Sequence, residues 1–177
     1  MESFRIVTDA GIEYAIHVEE VTEAREELIR TLIEIDLQTF SESTFSHYTA
    51  AAFLRYGRVF LLSADDMVIG TCVCMRCWDR PNEVNIVSMG IRPGWRGRGL
   101  GQKFVLGVLD RLRSKGLRAV NLMVGDDNRR AIKLYQDVGF QPTGGENIDP
   151  RTGERFLVLR AQLHASSLTP LPSPTRD

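Results

Sequence analysis

The segment Ser88-Met-Gly-Ile-Arg-Pro-Gly-Trp-Arg-Gly-Arg-Gly-Leu-Gly101 constrains this chain more than any other. It follows an apolar, alternating run over residues 83–91. It leads into a helical run over about 100–115, whose apolar stripe is Phe104, Val105, Val108, Leu109 and Leu112. A strand must therefore feed a helix through a loop holding Pro93 and three spaced glycines. Gly97, Gly99 and Gly101 carry no Cβ, so the backbone can approach a bulky ligand. The free N–H groups of the helix's first turn point the same way, and the helix dipole favours an anion there. Arg96 and Arg98 add positive charge. The physics specifies a phosphate or pyrophosphate site within residues 89–102.

Spacing eliminates the competing phosphate loops. A dinucleotide G-x-G-x-x-G begun at Gly97 needs glycine at Gln102, and begun at Gly99 needs it at Phe104. A Walker loop ends in Gly-Lys-Ser/Thr, which Leu100-Gly101-Gln102-Lys103 does not supply. An Arg-Gly tract for RNA would be longer and repeated.

The rest of the chain reads as one mixed α/β domain over residues 1–163, a central sheet with helices on both faces. Its 177 residues suffice to bury roughly 70% of the unfolded surface. Residues 4–8 and 12–20 alternate around Ala10-Gly11 as strand, turn, strand, the first being an extra strand within residues 1–11. Thr22 is expected to cap a helix running to about Gln38, with Leu28, Leu32 and Ile35 on one face. A short helix covers about 47–55 and stops at Gly57. Strands follow at 59–63, 68–78 and 83–91, then the long helix, a buried strand at 119–124, and a helix over about 128–138. Two strands near 140–143 and 155–163 complete the domain, and the Ser/Pro-rich tail 164–177 is expected to be disordered.

A net charge of −1 offers no field for nucleic acid or an anionic membrane. No apolar run nears the roughly 18 residues of a membrane span. The start, MESFRIVTDAG, does not read as a signal peptide. Three cysteines, Cys72, Cys74 and Cys77, lie on a strand with Cys77 on the opposite face. They make no convergent metal set, so no metal is expected, and they suit the reducing cytoplasm.

Two segments then resemble one family. Arg96-Gly-Arg-Gly99-Leu-Gly101 matches the Q/R-x-x-G-x-G/A signature of GNAT acetyltransferases, preceded by Met89-Gly-Ile91-Arg-Pro93. Downstream, Asn128-Arg-Arg-Ala131-Ile-Lys-Leu134-Tyr135-Gln-Asp-Val-Gly139-Phe140 is similar to the family's N-x-x-A-x-x-L-Y-x-x-x-G-F helix. The order of elements agrees over about 12–163. Within the superfamily, the segment Ile35-Asp36…Phe40-Ser41-Glu42…Phe45-Ser46 resembles the branch that acetylates ribosomal-protein N-terminal alanines.

The resemblance implies an N-acetyltransferase acting on acetyl-CoA and a primary amine in a ternary complex, without metal. It implies that backbone groups of Met89, Gly90 and Ile91 hold the pantetheine arm. Backbone groups from Arg96, Gly97 and Arg98 through Gly99, Leu100, Gly101 and Gln102 would hold the pyrophosphate. Asn128 and Ala131 would touch the cofactor from the later helix, and Tyr135 would protonate the departing thiolate. A backbone N–H near Met89 or Ile91 would stabilise the oxyanion.

The base stays open. In the alanine-acetylating branch a glutamate stands where this chain has Met123. Glu83 lies five residues before Ser88, about 16 Å along a strand. Ser88 can hold a relaying water, and Glu42 or His47 can reach in from the acceptor side. The acceptor, whether peptide N-terminus, lysine, polyamine or antibiotic, is not readable. The segments expected to set it are 36–56 and the polar loop 144–153. Two other classes stand beside the enzyme: a non-catalytic acyl-CoA sensor, and an interaction module pairing through an exposed edge at 72–78. A homodimer is compatible with each.

Overall fold

The structure is a computed structural model, and it describes residues 4–7, 11–40 and 45–163. Those residues form β1 (Phe4–Val7), β2 (Glu13–Glu20), α1 (Glu26–Phe40), α2 (His47–Tyr56), β3 (Arg58–Ala64), β4 (Met67–Arg76) and β5 (Glu83–Ile91). A 3-10 turn (Pro93–Trp95) leads to α3 (Leu100–Ser114), β6 (Ala119–Gly125), α4 (Arg129–Asp137), β7 (Gln141–Ile148) and β8 (Arg155–Gln162). The strands make one eight-stranded sheet in the order β1-β2-β3-β4-β5-β6-β8-β7. Only β5 and β6 are parallel neighbours; every other pairing is antiparallel. This is the mixed α/β architecture expected from the sequence, one central sheet with helices on both faces.

The sheet has a core on each face. On one side α1 and α2 bury Leu28, Leu32 and Ala50 against Val59, Leu61 and Val73. On the other, the α3 stripe of Phe104, Val105, Val108 and Leu112 packs on Ile16, Phe60, Leu62 and Val120, with α4 partly buried beside it. Fully burying a side chain of this kind stabilises by about 1.5–3 kcal/mol, so the two cores hold the sheet rigid from both faces.

Four expectations are corrected. Thr22 does not cap α1, which starts at Glu26. The Val21 amide bonds to the Val59 carbonyl at 2.9 Å, keeping the chain on the sheet past β2. Glu26 and Glu27 then suit the helix's positive end. The loop expected over 144–153 is strand in its first half, because β7 runs to Ile148 and pairs with β8 across a register shift after Pro142. The Cys-rich strand is no exposed edge, since β4 is hydrogen-bonded to both β3 and β5. Cys77 stands past the end of β4 rather than on it. The expected tail 164–177 lies outside the described residues.

Candidate active site

The parallel pairing of β5 with β6 runs only from Glu83 opposite Ala119 to Ile86 opposite Leu122. Beyond it, β5 stays bonded to β4 as far as Ile91 opposite Gly70, and β6 to β8 as far as Gly125 opposite Phe156. The two strands therefore splay, each keeping its outer partner while the facing edges open. A β-bulge marks the parting: Val73 sits opposite Ser88 and Cys74 opposite Ile86, leaving Val87 as the extra residue. A bulge re-aims the side chains that follow it. Ile86 accordingly packs into the core under α3, whereas Ser88 turns to α1. The Arg92 amide bonds to the Ile69 carbonyl at 2.8 Å, so alternation turns the backbone groups of Met89 and Ile91 away from β4, towards the opening.

The splay opens into a cleft of about 1460 Å³. Every residue assigned from the sequence to the cofactor, together with Ser88 and Tyr135, lines it except Arg98, which is half-buried elsewhere in the loop. The three glycines prove to serve different ends. Gly97 (φ 82°) and Gly99 (φ 73°) adopt the left-handed backbone that side chains resist. A Cβ on Gly101 would stand 2.7 Å from Leu134 Cδ1, so that glycine lets α3 and α4 close together.

Arg96 lines the cleft, but its guanidinium points inward. Nε donates to the Ile91 carbonyl (2.7 Å) and Nη2 to the Gln38 carbonyl (2.9 Å), a cation resting on the C-terminal end of α1. Arg92 reinforces this grip with two bonds to the Glu34 carboxylate, 2.6 and 3.1 Å. The cations on the α4 wall are Arg130 and Lys133, which sequence reasoning did not single out although they stand inside the second motif. Asn128 caps α4, its Oδ1 accepting from the Ala131 amide at 3.0 Å.

Tyr135 reaches the cleft from α4. Its hydroxyl points at Met89 Sδ, 3.9 Å away, and its ring meets Phe140 edge-on at 5.4 Å. Burial, helped by the Cys72 and Cys74 thiols beneath it, raises its pKa well above the ordinary value, so the hydroxyl keeps its proton. The neighbouring Cys74 thiol and burial likewise push the Cys72 thiol up, so Cys72 keeps its proton.

From the opposite face comes a residue that the sequence placed only on the acceptor side. Asp36 of α1 is 2% exposed and accepts a 3.3 Å hydrogen bond from Ser88 Oγ, itself 8% exposed. Both line the cleft. A Cβ on Gly90 would stand 2.3 Å from Thr39 Oγ1, so glycine there is what allows α1 to lie this close. No periodicity or motif signalled the pairing, because it depends on the bulge.

The other candidate bases are accounted for differently. Glu83 receives both Nη groups of Arg160 (2.6 and 2.7 Å) and Asn121 Nδ2 (3.0 Å), and the Arg160 bonds hold its pKa at about 2. His47 bonds to Glu26 at 3.0 Å and does not line the cleft. Glu42 lies outside the described residues. Met123 lines the opening, half-exposed, with Asn147 Nδ2 at 3.7 Å from its sulfur. Among the described residues no group of three His, Cys, Asp or Glu side chains converges as a metal site, and no helix is long and apolar enough to cross a membrane.

Residues 22–140 match the family model of the acetyltransferase (GNAT) family. The chain belongs to the GNAT family. Mycothiol acetyltransferase from Thermobifida fusca (strain YX) is 44% identical over 56 residues, 32% of this chain and 17% of that protein. The one from Thermomonospora curvata is 39% identical over 82 residues, 46% of this chain and 27% of that protein. This GNAT chain thus aligns with well under a third of the length of those curated relatives. It shares its fold with the ribosomal-protein-S18-alanine N-acetyltransferase from Escherichia coli (TM-score 0.72, 15% identity, 87% of this chain and 97% of that one). It also shares it with a Bacillus subtilis acetyltransferase in complex with CoA (TM-score 0.66, 19% identity, 84% and 99%). At such identities the likeness carries architecture and leaves the acceptor open.

Proposed function

We propose that this GNAT domain transfers the acetyl group of acetyl-CoA to the nitrogen of a primary amine by direct attack within a ternary complex. The observation that carries the reading is the splay of β5 from β6, with a helix N-terminus and a glycine loop at one end and Tyr135 inside. The site fits the cosubstrate in three respects. The turned-out backbone of Met89 and Ile91 offers bonds to a pantetheine amide chain, as an added strand would. The amides of Gly97 to Gln102 at the start of α3 suit a pyrophosphate, and Arg130 and Lys133 add charge beside it. Asn128, already capping α4, borders the same arm.

Bound acetyl-CoA supplies the thioester. An amide N–H of Met89 or Ile91 stabilises negative charge on the carbonyl oxygen as the amine attacks. Tyr135, kept protonated by its burial, delivers a proton to the departing sulfur. No covalent enzyme intermediate is required. Three free cysteines suit a cytoplasmic setting, and the exposed outer strand β7 is where a second copy would pair in a homodimer.

The test is release of free thiol from acetyl-CoA against spermidine, lysine, an aminoglycoside and peptides with N-terminal alanine, alongside direct measurement of acetyl-CoA binding. Turnover with one amine class supports the reading and identifies the acceptor. Binding without turnover favours an acyl-CoA sensor, and a failure to bind acetyl-CoA sinks both.

A further inference from the structure

We infer that Asp36, oriented by Ser88, is the group that takes the proton from the attacking amine. This rests on the acetyl-transfer reading above and assigns the base which that reading leaves open. An alkyl amine or peptide N-terminus carries a proton at neutral pH, its pKa lying at about 8–10. The nitrogen has no lone pair to attack with until that proton leaves.

The cleft offers few acceptors for it. Glu83 stands at the paired end of β5, covered by a two-pronged arginine. Asp137 bonds Lys133 on α4, Asp149 accepts the amides of Arg151 and Thr152 in its own turn, and Glu154 is exposed to solvent just before β8. Asp36 differs in position. It is buried, it borders the cleft, and it lies on the α1 face directly beside the residue that the Val87 bulge has swung across the sheet.

Tyr135 stands on the α4 face. The splay thus has a carboxylate on one side and a protonated hydroxyl on the other. That is the disposition needed if the nitrogen sheds its proton on one face while sulfur receives one on the other. Keeping a carboxylate buried costs free energy. Gly90 adds a constraint of its own by holding α1 against the strand at this point.

The step balances. The ammonium N–H bond breaks and an O–H bond forms on Asp36. The freed lone pair makes the C–N bond, and the C–S bond breaks with its electrons on sulfur. The second nitrogen proton leaves to solvent as the amide forms, and Tyr135, having given its proton to sulfur, regains one from solvent. Asp36 finally releases its proton to water. Ser88 is a positioning residue, fixing one oxygen of the carboxylate.

The experiment compares wild type with Asp36→Asn, Asp36→Glu and Ser88→Ala, using the best alkylammonium acceptor of the panel and methoxyamine, which is already neutral at pH 7. Acetyl-CoA binding and thermal unfolding check that each variant is folded. Asp36→Asn is expected to lower kcat with the alkylammonium acceptor by ~10²-fold to 10⁴-fold. The KM for acetyl-CoA and the methoxyamine rate should stay near wild type. Asp36→Glu should recover part of the loss, and Ser88→Ala should lose about tenfold, as a weakened charged hydrogen bond would. The assignment is overturned if Asp36→Asn keeps its alkylammonium rate, if it loses both rates equally, or if Asp36→Glu is no better than Asp36→Asn. Should wild type itself acetylate no amine, the acetyl-transfer reading falls and takes this one with it; an active wild type matched by an active Asp36→Asn sinks this inference alone.

Discussion

The two ends of the β5–β6 pair are built from the same two strands and behave oppositely. At the lower end, Glu83 to Ile86 pair with Ala119 to Leu122, and Glu83, Asn121 and Arg160 bind one another across the seam. At the upper end the strands part, and Asp36, Ser88, Met89 and Tyr135 converge on the gap. Each end holds a carboxylate beside β5. The lower one is neutralised by an arginine and closes the sheet, whereas the upper one meets a serine and faces a cleft. A polar group between paired strands serves structure, and one bordering the gap where the backbone withdraws a strand stands beside the chemistry.

The sharpest way to break this comparison is at the open end. Tyr135→Phe is expected to lower kcat by ~10²-fold to 10⁴-fold, the usual reach of a general acid. Among the described residues its hydroxyl bonds to a thioether sulfur at 3.9 Å, a weak contact, so the unfolding free energy should move by less than about 1 kcal/mol. Thiol release and urea unfolding on the same preparation check both halves. A variant that unfolds readily yet turns over normally would place Tyr135 in the core instead.

The closed end should give the reverse pattern. Glu83→Gln leaves Arg160 beside an uncharged partner and is expected to cost about 1.5–3 kcal/mol of stability, with kcat at pH 7 near wild type. The pH dependence has a definite sign. Glu83 titrates at about 2 in the folded chain against an ordinary 4.5. Its contribution is therefore complete above about 4.5 and fades as pH falls towards 2. The stability gap between wild type and Glu83→Gln should be constant from pH 5 to 7 and shrink below pH 4.5. Urea unfolding across that range reads it directly.

These two ends were not equally legible in the sequence. The strand–loop–helix unit was, because β5 ends at Ile91 and α3 begins at Leu100, as the periodicity required. The helix over 128–138 was also legible, being local, although Asn128 read only as a cofactor contact and proves to cap it. What stayed hidden was non-local. The bulge at Val87 arises from how β5 pairs with β4 and has no signature in its own residues, yet it decides which face Ser88 occupies. Gly90 read as a ligand-facing glycine, whereas its tightest neighbour is Thr39 on a helix some fifty positions earlier. Arg96 read as a phosphate cation and instead ties the loop to α1. The extension of β7 to Ile148 was hidden because its residues are exposed and polar, giving no alternation to detect.

The rim of the open end supplies the smallest expected effect and a distinct test. Arg130 is exposed on α4 and borders the cleft. It stands outside the converging group of Asp36, Ser88, Met89 and Tyr135. An exposed cation attracts an anionic cosubstrate across solvent, which is worth only about 0.2–1 kcal/mol. Arg130→Ala should therefore raise the KM for acetyl-CoA by no more than about fivefold and leave kcat unchanged. The Debye length falls from about 10 Å at 0.1 M salt to about 3 Å at 1 M, so the difference from wild type should vanish as salt is added. The Tyr135→Phe defect should persist, since a proton transfer inside the cleft is not screened in that way. If added salt erased both defects alike, the division of the open end into a charged rim and a sheltered reacting centre would be wrong.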